Sequence, residues 1–173
     1  MDGSVSETVI SVFRSMPESP QQSHNTKRKD TEEIGSRKLP DASFSCQDVD
    51  FNEKMINLNW ILLRSIECKL YDVYEYLVDS SVTCFEPESN GALVQGMEFH
   101  KFYFDLPSYG KPGHTTIASP VVRILGDSVA VVAFERLTQR MTSSGPVTTK
   151  AQETRVWCKA LEDRWRLVHF HRS

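Results

Sequence analysis

From residue 51 onward apolar side chains recur at Phe51, Met55, Leu58, Leu62 and Ile66. The spacing of four, three, four and four draws one stripe down an α-helix. Asp50 followed by Glu53 predicts an N-cap with its capping-box partner. The stripe continues through Leu70, Val73, Tyr74 and Leu77, either as one long helix or as two with a break near Cys68 and Lys69. Trp60, Ile61 and Leu63 widen the apolar face beyond what one contact surface needs, so something large must pack against this helix.

The pattern then shortens. Residues 82–85 read as a strand, 86–91 as a turn, and 97–104 as a short helix rich in aromatics. Pro107, Gly110, Pro112 and Gly113 mark a loop. Four long strands follow, at 114–125, 129–140, 147–161 and 165–172, joined by tight turns at Gly126 and Asp127, at 143–146 and at 162–164. Successive hairpins give an antiparallel sheet. The order of elements predicts an α+β fold, with the long N-terminal helix on one face of a strongly curved antiparallel sheet, forming a cone whose mouth can hold a ligand.

No such pattern precedes residue 51. Residues 1–50 hold nine serines and only two aromatics, Phe13 and Phe44, with Pro17, Pro20 and Pro40 interrupting any period. They cannot bury enough apolar surface to offset chain entropy, so 1–50 reads as a disordered Ser-rich tail, with a transient helical turn at 9–16, and 51–173 as the folded domain.

Charge sharpens that division. The chain carries 20 Lys plus Arg against 23 Asp plus Glu, a net charge of -3. Six basic and nine acidic side chains lie in 1–50, which leaves fourteen of each in 51–173. A near-neutral domain argues against binding nucleic acid or an anionic membrane surface. The start is neither basic nor followed by an apolar run, and no segment approaches the roughly 20 apolar residues of a membrane span, so a cytoplasmic protein is expected. Cys46, Cys68, Cys84 and Cys158 are spread without C-x-x-C spacing and read as free buried thiols rather than disulfides or zinc ligands. In the tail, Lys27, Arg28 and Lys29 form a basic triplet with Arg28 three residues before Thr31. That is a nuclear-import patch, a phosphorylation site for a basophilic kinase, or simply a solvated cluster.

Candidate chemistry lies on the strands. Ala130, Val132, Phe134 and Arg136 share one face, as do Val168, Phe170 and Arg172, and Arg155 lies in register with Glu153 and Trp157. A guanidinium ending an apolar register needs a carboxylate, carbonyls or a cavity with an anion, so these arginines either line a pocket or pair with structural carboxylates such as Glu153 or Glu135. His169 and His171 also share a face, but no carboxylate or cysteine in their strand completes a metal site; distant His100 and His114 could join them only by accident of folding. The cluster of Phe99, Phe102, Tyr103 and Phe104 reads as core rather than a base-stacking platform. There is no G-x-G loop, Walker lysine loop, H-R-D, D-F-G or G-x-S-x-G motif. An enzyme using His100, Tyr103 or Glu86 as a general base in the cone is conceivable, though nothing in the spacing selects one.

Several stretches together resemble the association, or hub, domain of calcium/calmodulin-dependent protein kinase II. They are Phe85, Glu86, Pro87 and Glu88; Gly91, Leu93, Val94, Gly96, Met97, Phe99, His100, Phe102, Tyr103 and Phe104; and Lys111, Pro112, His114, Thr115, Thr116 and Ile117. The match resumes at Arg136, Leu137, Thr138 and Gln139, at Glu153, Thr154, Arg155, Val156 and Trp157, and at Trp165, Val168, His169, Phe170, His171, Arg172 and Ser173.

The resemblance implies a cone-shaped fold like nuclear transport factor 2. It also implies a non-catalytic module that assembles into stacked rings, usually of twelve or fourteen subunits. Apolar surface on both sides of the sheet and the wide stripe around Trp60 fit burial between subunits. The family pocket, where small carboxylates bind, is matched by Arg136, Arg155 and Arg172 with His100 beside them; Tyr103 is added as a fifth candidate. No metal or cofactor is implied.

The sequence departs from the family at Pro107, Ser108 and Tyr109, where a gating tryptophan is often found. It departs again at Lys69 and Leu70, which replace a usual Gly-Asp. With no kinase domain or calmodulin-binding segment ahead of it, a free-standing hub is expected, either forming homo-oligomeric rings or mixing with full-length kinase subunits. The alternative is a carboxylate-binding protein or an enzyme using the arginine-lined cone.

Overall fold

A computed structural model describes residues 46–107 and 113–173. The readings made on residues 1–45, including Arg28 and Thr31, and on Ser108, Tyr109 and Lys111 lie outside the described residues. By its internal contacts the chain divides into Met1–Asp48 and Val49–Ser173.

Helix α1 spans Cys46–Glu67. It begins earlier than expected, so Asp50 lies inside the helix and does not cap it. Met55 and Leu62 of the anticipated stripe are buried, Asn59 and Ser65 join them in the interior, and Ile66 at the end of the helix is exposed. Ile61 and Leu63 are only 2% and 1% exposed within this single subunit, so much of the width assigned to a partner is used by the subunit's own core. Asn59 and Ser65 tolerate the interior because each bonds locally. Asn59 Nδ2 donates to the Met55 carbonyl at 2.8 Å and Ser65 Oγ to the Leu62 carbonyl at 2.7 Å.

The helical stripe does break where two helices were allowed for. Lys69 adopts φ +55°, with its N–H donating to the Ile66 carbonyl at 3.3 Å and the Leu70 N–H reaching the Ser65 carbonyl at 2.8 Å. This is a Schellman stop, a position that favours glycine because a Cβ is strained there. Lys69 has a compensating contact. Its ammonium donates to the carbonyls of Tyr103 at 3.1 Å, Phe104 at 3.4 Å, and Leu106, capping the C-terminal end of a later helix.

Helix α2, Tyr71–Leu77, runs directly into strand β1, Val78–Phe85. That strand starts four residues before the expected position. Its first half reads as a turn because Asp79 accepts from the Ser81 N–H at 2.9 Å and hydroxyl at 2.6 Å, and the register slips between Val78 and Thr83. A 3-10 turn at Pro87–Ser89, the two-residue strand β2, Val94–Gln95, and helix α3, Glu98–Asp105, follow. The long strands are β3, His114–Leu125; β4, Val129–Thr142; β5, Gly145–Lys159; and β6, Trp165–Arg172.

Together they make one six-stranded sheet in the order β2-β1-β6-β5-β4-β3. β3 to β6 form the expected antiparallel meander, but β1 pairs with β6 in parallel, so the sheet is mixed. Hairpin counting misses this pairing, since it joins the two ends of the domain.

Bulges bend the sheet. One lies between Ala118 and Val121, where Ser119 has φ +50°; another lies where β5 and β6 slip at Val156 and Trp157. The second also corrects the register read for β6: Trp165 and Leu167 are buried before it and Phe170 after it, so Val168 does not share the face of Phe170 and Arg172. The inner face packs Ala130, Val132, Phe134 and Trp157 with Met55, Leu62, Tyr74 and Leu77 from the helices, all nearly inaccessible. No helix among the described residues is long and apolar enough to cross a membrane.

Two substitutions separate the opposing effects at Lys69. Lys69→Met keeps the strained backbone and loses the ammonium cap, and should cost about 1 kcal/mol. Lys69→Gly loses the same cap but relieves the left-handed strain, and should be the more stable of the two by roughly 1 kcal/mol. Urea denaturation of both variants checks the difference. A buried-core reference is Trp157→Ala, expected to cost about 3–5 kcal/mol.

Candidate ligand pocket

The curved sheet and the helices enclose a cavity of about 630 Å³. All five residues singled out in the sequence line it: Arg136, Arg155, Arg172, His100 and Tyr103. They arrive from four elements. Arg136 lies on β4, Arg155 on β5, Arg172 at the end of β6, and His100 and Tyr103 on α3.

The arginines are not equivalent. Arg155 is 3% exposed, and its Nε and Nη2 both donate to Glu153 Oε2, at 2.9 and 2.6 Å. Its Nη1 reaches Asn59 Oδ1 at 3.2 Å, and its guanidinium lies 5.2 Å from the centre of the Phe134 ring. Arg155 is therefore held from three directions and has the character of a structural group. Arg172 pairs with Glu86 Oε2 at 2.9 Å and with Glu88. Burial opposes its charge, but these two carboxylates outweigh that and raise its pKa.

Arg136 differs. Its Nη1 lies 3.0 Å from Glu153 Oε1, while its Nε is buried and has no hydrogen-bond partner among the described residues. Burial, together with the positive charges of Arg172 and Arg155, lowers its pKa against the opposing pull of Glu153. Of the three guanidiniums, Arg136 is the one with a fully buried donor left unpaired, while Arg172 bonds through Nη2 alone. Since Arg136, Arg155 and Arg172 face Glu86, Glu88 and Glu153 in the same cavity wall, their formal charges cancel three against three.

His100 is 6% exposed. Its Nε2 lies 3.4 Å from Glu86 Oε1 and 3.3 Å from Cys84 Sγ, and its ring packs edge-on against Tyr74. Burial would raise the pKa of Glu86, but hydrogen bonds and charge from His100 and Arg172 hold it below the usual carboxylate range. The Cys84 thiol is pushed up to about 12, by burial and then by the negative charge of Glu86. A thiol held that high is not a nucleophile. Cys84 and Glu86 both face the same nitrogen of His100, so they cannot act as nucleophile and orienting acid on opposite sides of the ring, as a relay would require.

Two signals lay in the sequence unread. Asn59 interrupts the α1 stripe four residues after Met55 and three before Leu62, a polar group where a core residue belongs. Cys84 sits two before Glu86, on the β1 face that turns inward. The histidine pair weighed as a metal site points elsewhere: His169 Nδ1 bonds Thr83 Oγ1 at 2.8 Å, and both His169 and His171 pack against Phe85 outside the cavity. Among the thiols, Cys84 is buried and Cys158 half-buried, but Cys68 is exposed; all three are free.

Residues 52–173 match the family model described as the calcium/calmodulin dependent protein kinase II association domain. The chain belongs to that association-domain family. It is 41% identical to calcium/calmodulin-dependent protein kinase type II of Caenorhabditis briggsae, over 78% of this chain and 26% of that protein. It spans about a quarter or less of the length of the curated relatives it matches. The solved association domain of the C. elegans kinase II superposes with a TM-score of 0.69 at 41% identity, covering 75% of this chain and 99% of that one. The kinase II hub homology domain of Chlamydomonas reinhardtii does so with 0.64 at 48% identity, covering 70% and 95%. A nuclear transport factor 2-like protein from Salmonella enterica shares the fold alone, at 19% identity, a TM-score of 0.59, and 72% and 91% coverage. The association-domain match falls on a non-catalytic part of the kinase, in keeping with the missing kinase motifs in this sequence.

Within this association domain, Glu153→Gln removes the shared counter-charge of two buried guanidiniums and should destabilise by about 3–5 kcal/mol. Asn59→Leu leaves only one Arg155 donor unpaired and should cost about 1–3 kcal/mol. Thermal unfolding of the two variants checks the order, and equal losses would contradict the hierarchy of contacts.

Proposed function

We propose that the chain works as an oligomerisation hub, assembling with copies of itself into a ring and co-assembling with calcium/calmodulin-dependent protein kinase II subunits. The family match supports an association module. The observation that carries the reading to a second copy is the outer face of the sheet. Strand alternation turns Val121 and Leu125 of β3, Val131 and Ala133 of β4, Val156 of β5 and Phe85 of β1 away from the core. Phe85, Val121 and Leu125 are 38%, 47% and 57% exposed in the single subunit. β3 is also an edge strand of twelve residues, with one side of its ladder unpaired among the described residues. A surface of this kind, on a domain with fourteen charges of each sign, suits packing against itself without accumulating repulsion. Such a module would work in the cytosol, where the thiols stay reduced.

Native mass spectrometry of the chain at micromolar concentration should give a ring-sized species; a monodisperse monomer would overturn the hub reading. Adding full-length kinase II should give mixed masses, and Val121→Asp with Leu125→Asp should reduce assembly while far-ultraviolet circular dichroism is retained.

A second role is supported by one specific observation, the unpaired buried donor of Arg136. The cavity then serves as a small-carboxylate site with Arg136 as the main anion contact and Arg155, Arg172, His100 and Tyr103 shaping its wall. Calorimetry with a small carboxylate should show binding that is lost in Arg136→Ala with the oligomer mass unchanged. Loss of assembly in that variant would instead assign Arg136 a structural role.

A further inference from the structure

Cys84, Glu86 and His100 bring three chemically different metal-ligand atoms to one point. Sγ to Nε2 is 3.3 Å, Nε2 to Oε1 is 3.4 Å, and Sγ to Oε1 is 3.9 Å. A zinc ion with bonds of about 2.3 Å to sulfur and about 2.0–2.2 Å to nitrogen and oxygen has tetrahedral edges of about 3.3–3.6 Å. Two edges of the triangle fall in or next to that range and the third is slightly long. We propose that Cys84 Sγ, Glu86 Oε1 and His100 Nε2 form a binding site for one borderline divalent cation of the zinc type, with its fourth position open to the cavity.

Three further observations support this assignment. The ligands stand on rigid elements: Cys84 near the end of β1, Glu86 at the entry to the 3-10 turn, and His100 in α3. The second oxygen of Glu86 is engaged by Arg172 at 2.9 Å, which orients the first toward the thiol and the imidazole, the kind of outer partner that metal-ligating carboxylates have. His100 is packed against Tyr74 and Phe170, which holds its ring with Nε2 toward the other two ligands; its Nδ1 has no partner among the described residues, so packing takes the place of the outer hydrogen bond that usually orients a metal-bound imidazole.

The donor set of thiolate, imidazole and carboxylate selects zinc or cobalt over magnesium or calcium. A thiolate and a carboxylate together neutralise a divalent ion, so the bound centre is itself uncharged, and exchange of one proton for the metal raises the local charge by one unit. Binding exchanges the thiol proton for the metal, with the proton released to solvent. Glu86 and His100 line the cavity, which gives an ion an entry path and lets a water or a small anionic ligand complete its coordination. An ion there would also tie α3 to β1, two elements whose direct polar link in this region is the same cluster.

Cobalt(II) titration of the full 173-residue chain, stripped of metal and kept under a phosphine reductant, tests the site. One equivalent per subunit should produce a thiolate-to-cobalt charge-transfer band in the near ultraviolet and the visible bands of tetrahedral cobalt, both displaced by zinc. Cys84→Ser should abolish the charge-transfer band, His100→Gln should weaken zinc binding by about tenfold or more, and Cys68→Ser and Cys158→Ser should leave the spectrum intact. Absence of the band in the wild-type chain overturns the proposal, and so does its persistence in Cys84→Ser or its loss with Cys68 or Cys158. Because the wild-type spectrum is read first, a poorly folding Cys84 variant does not remove the test. Release of about one proton per zinc bound by the wild-type chain then stands in for the variant, and zinc uptake without proton release counts against the site.

Discussion

Glu153 is 2% exposed, and the inner face of the sheet is arranged around pairing its carboxylate. An isolated buried carboxylate costs several kcal/mol, so it persists only with partners of opposite charge and good geometry. Arg155, two residues along the same strand, supplies two donors to one oxygen, and Arg136 from the neighbouring strand faces the other. Arg155 then needs a partner for its remaining nitrogen, and Asn59 on α1 provides it. The chain of requirements fixes how α1 is rotated on the sheet. It places Asn59 inward on the face it shares with Met55 and Leu62, and Ile66, one turn past Leu62, borders the cavity.

A second polar group lies across the same cavity. Glu86 stands between Arg172 and His100, with Glu88 on the far side of Arg172 and Cys84 behind the imidazole. The first cluster sets two guanidiniums against one carboxylate and the second one guanidinium against two, so their charges cancel only together, across the cavity, which lets a cavity rich in guanidinium exist without an obligatory anion. What remains available to a ligand is set by hydrogen-bond saturation rather than by the number of arginines. Arg155 is engaged through all three nitrogens, Arg172 through Nη2 alone, and Arg136 keeps a buried Nε without a partner among the described residues.

The sheet therefore has two distinct faces. Inside, Trp157, Phe134 and Leu167 pack on the helices and frame the ionic clusters. Outside, valine, alanine and phenylalanine side chains stand in a subunit that has already filled its own core. The bulges at Ser119 and Val156 connect the two, since bending the sheet to make a cavity on one side shapes the apolar surface on the other. In this association domain the curvature that makes a pocket also shapes the face it presents to another subunit.

Local periodicity carried much of the fold. The 3.6-residue stripe marked α1, the helical break at Lys69 was visible in the chain, and alternation with turn residues located β3 to β6 to within about two residues at each end. The arginines were legible as residues that end apolar registers, because strand alternation assigns a face without knowledge of contacts. The parallel pairing of β1 with β6 was not legible, nor were the bulge that changes the phase of β6, the rotation of α1 that buries Asn59, and the meeting of Cys84, Glu86 and His100. Each of these depends on residues distant in the chain, and nothing in the neighbourhood of one residue encodes which remote side chain will complete its hydrogen bonds. The amino-acid sequence by itself determined the elements, their faces and the family. Tertiary structure alone decided which arginine is left with a buried, unpaired donor, because burial and pairing are properties of the assembled core.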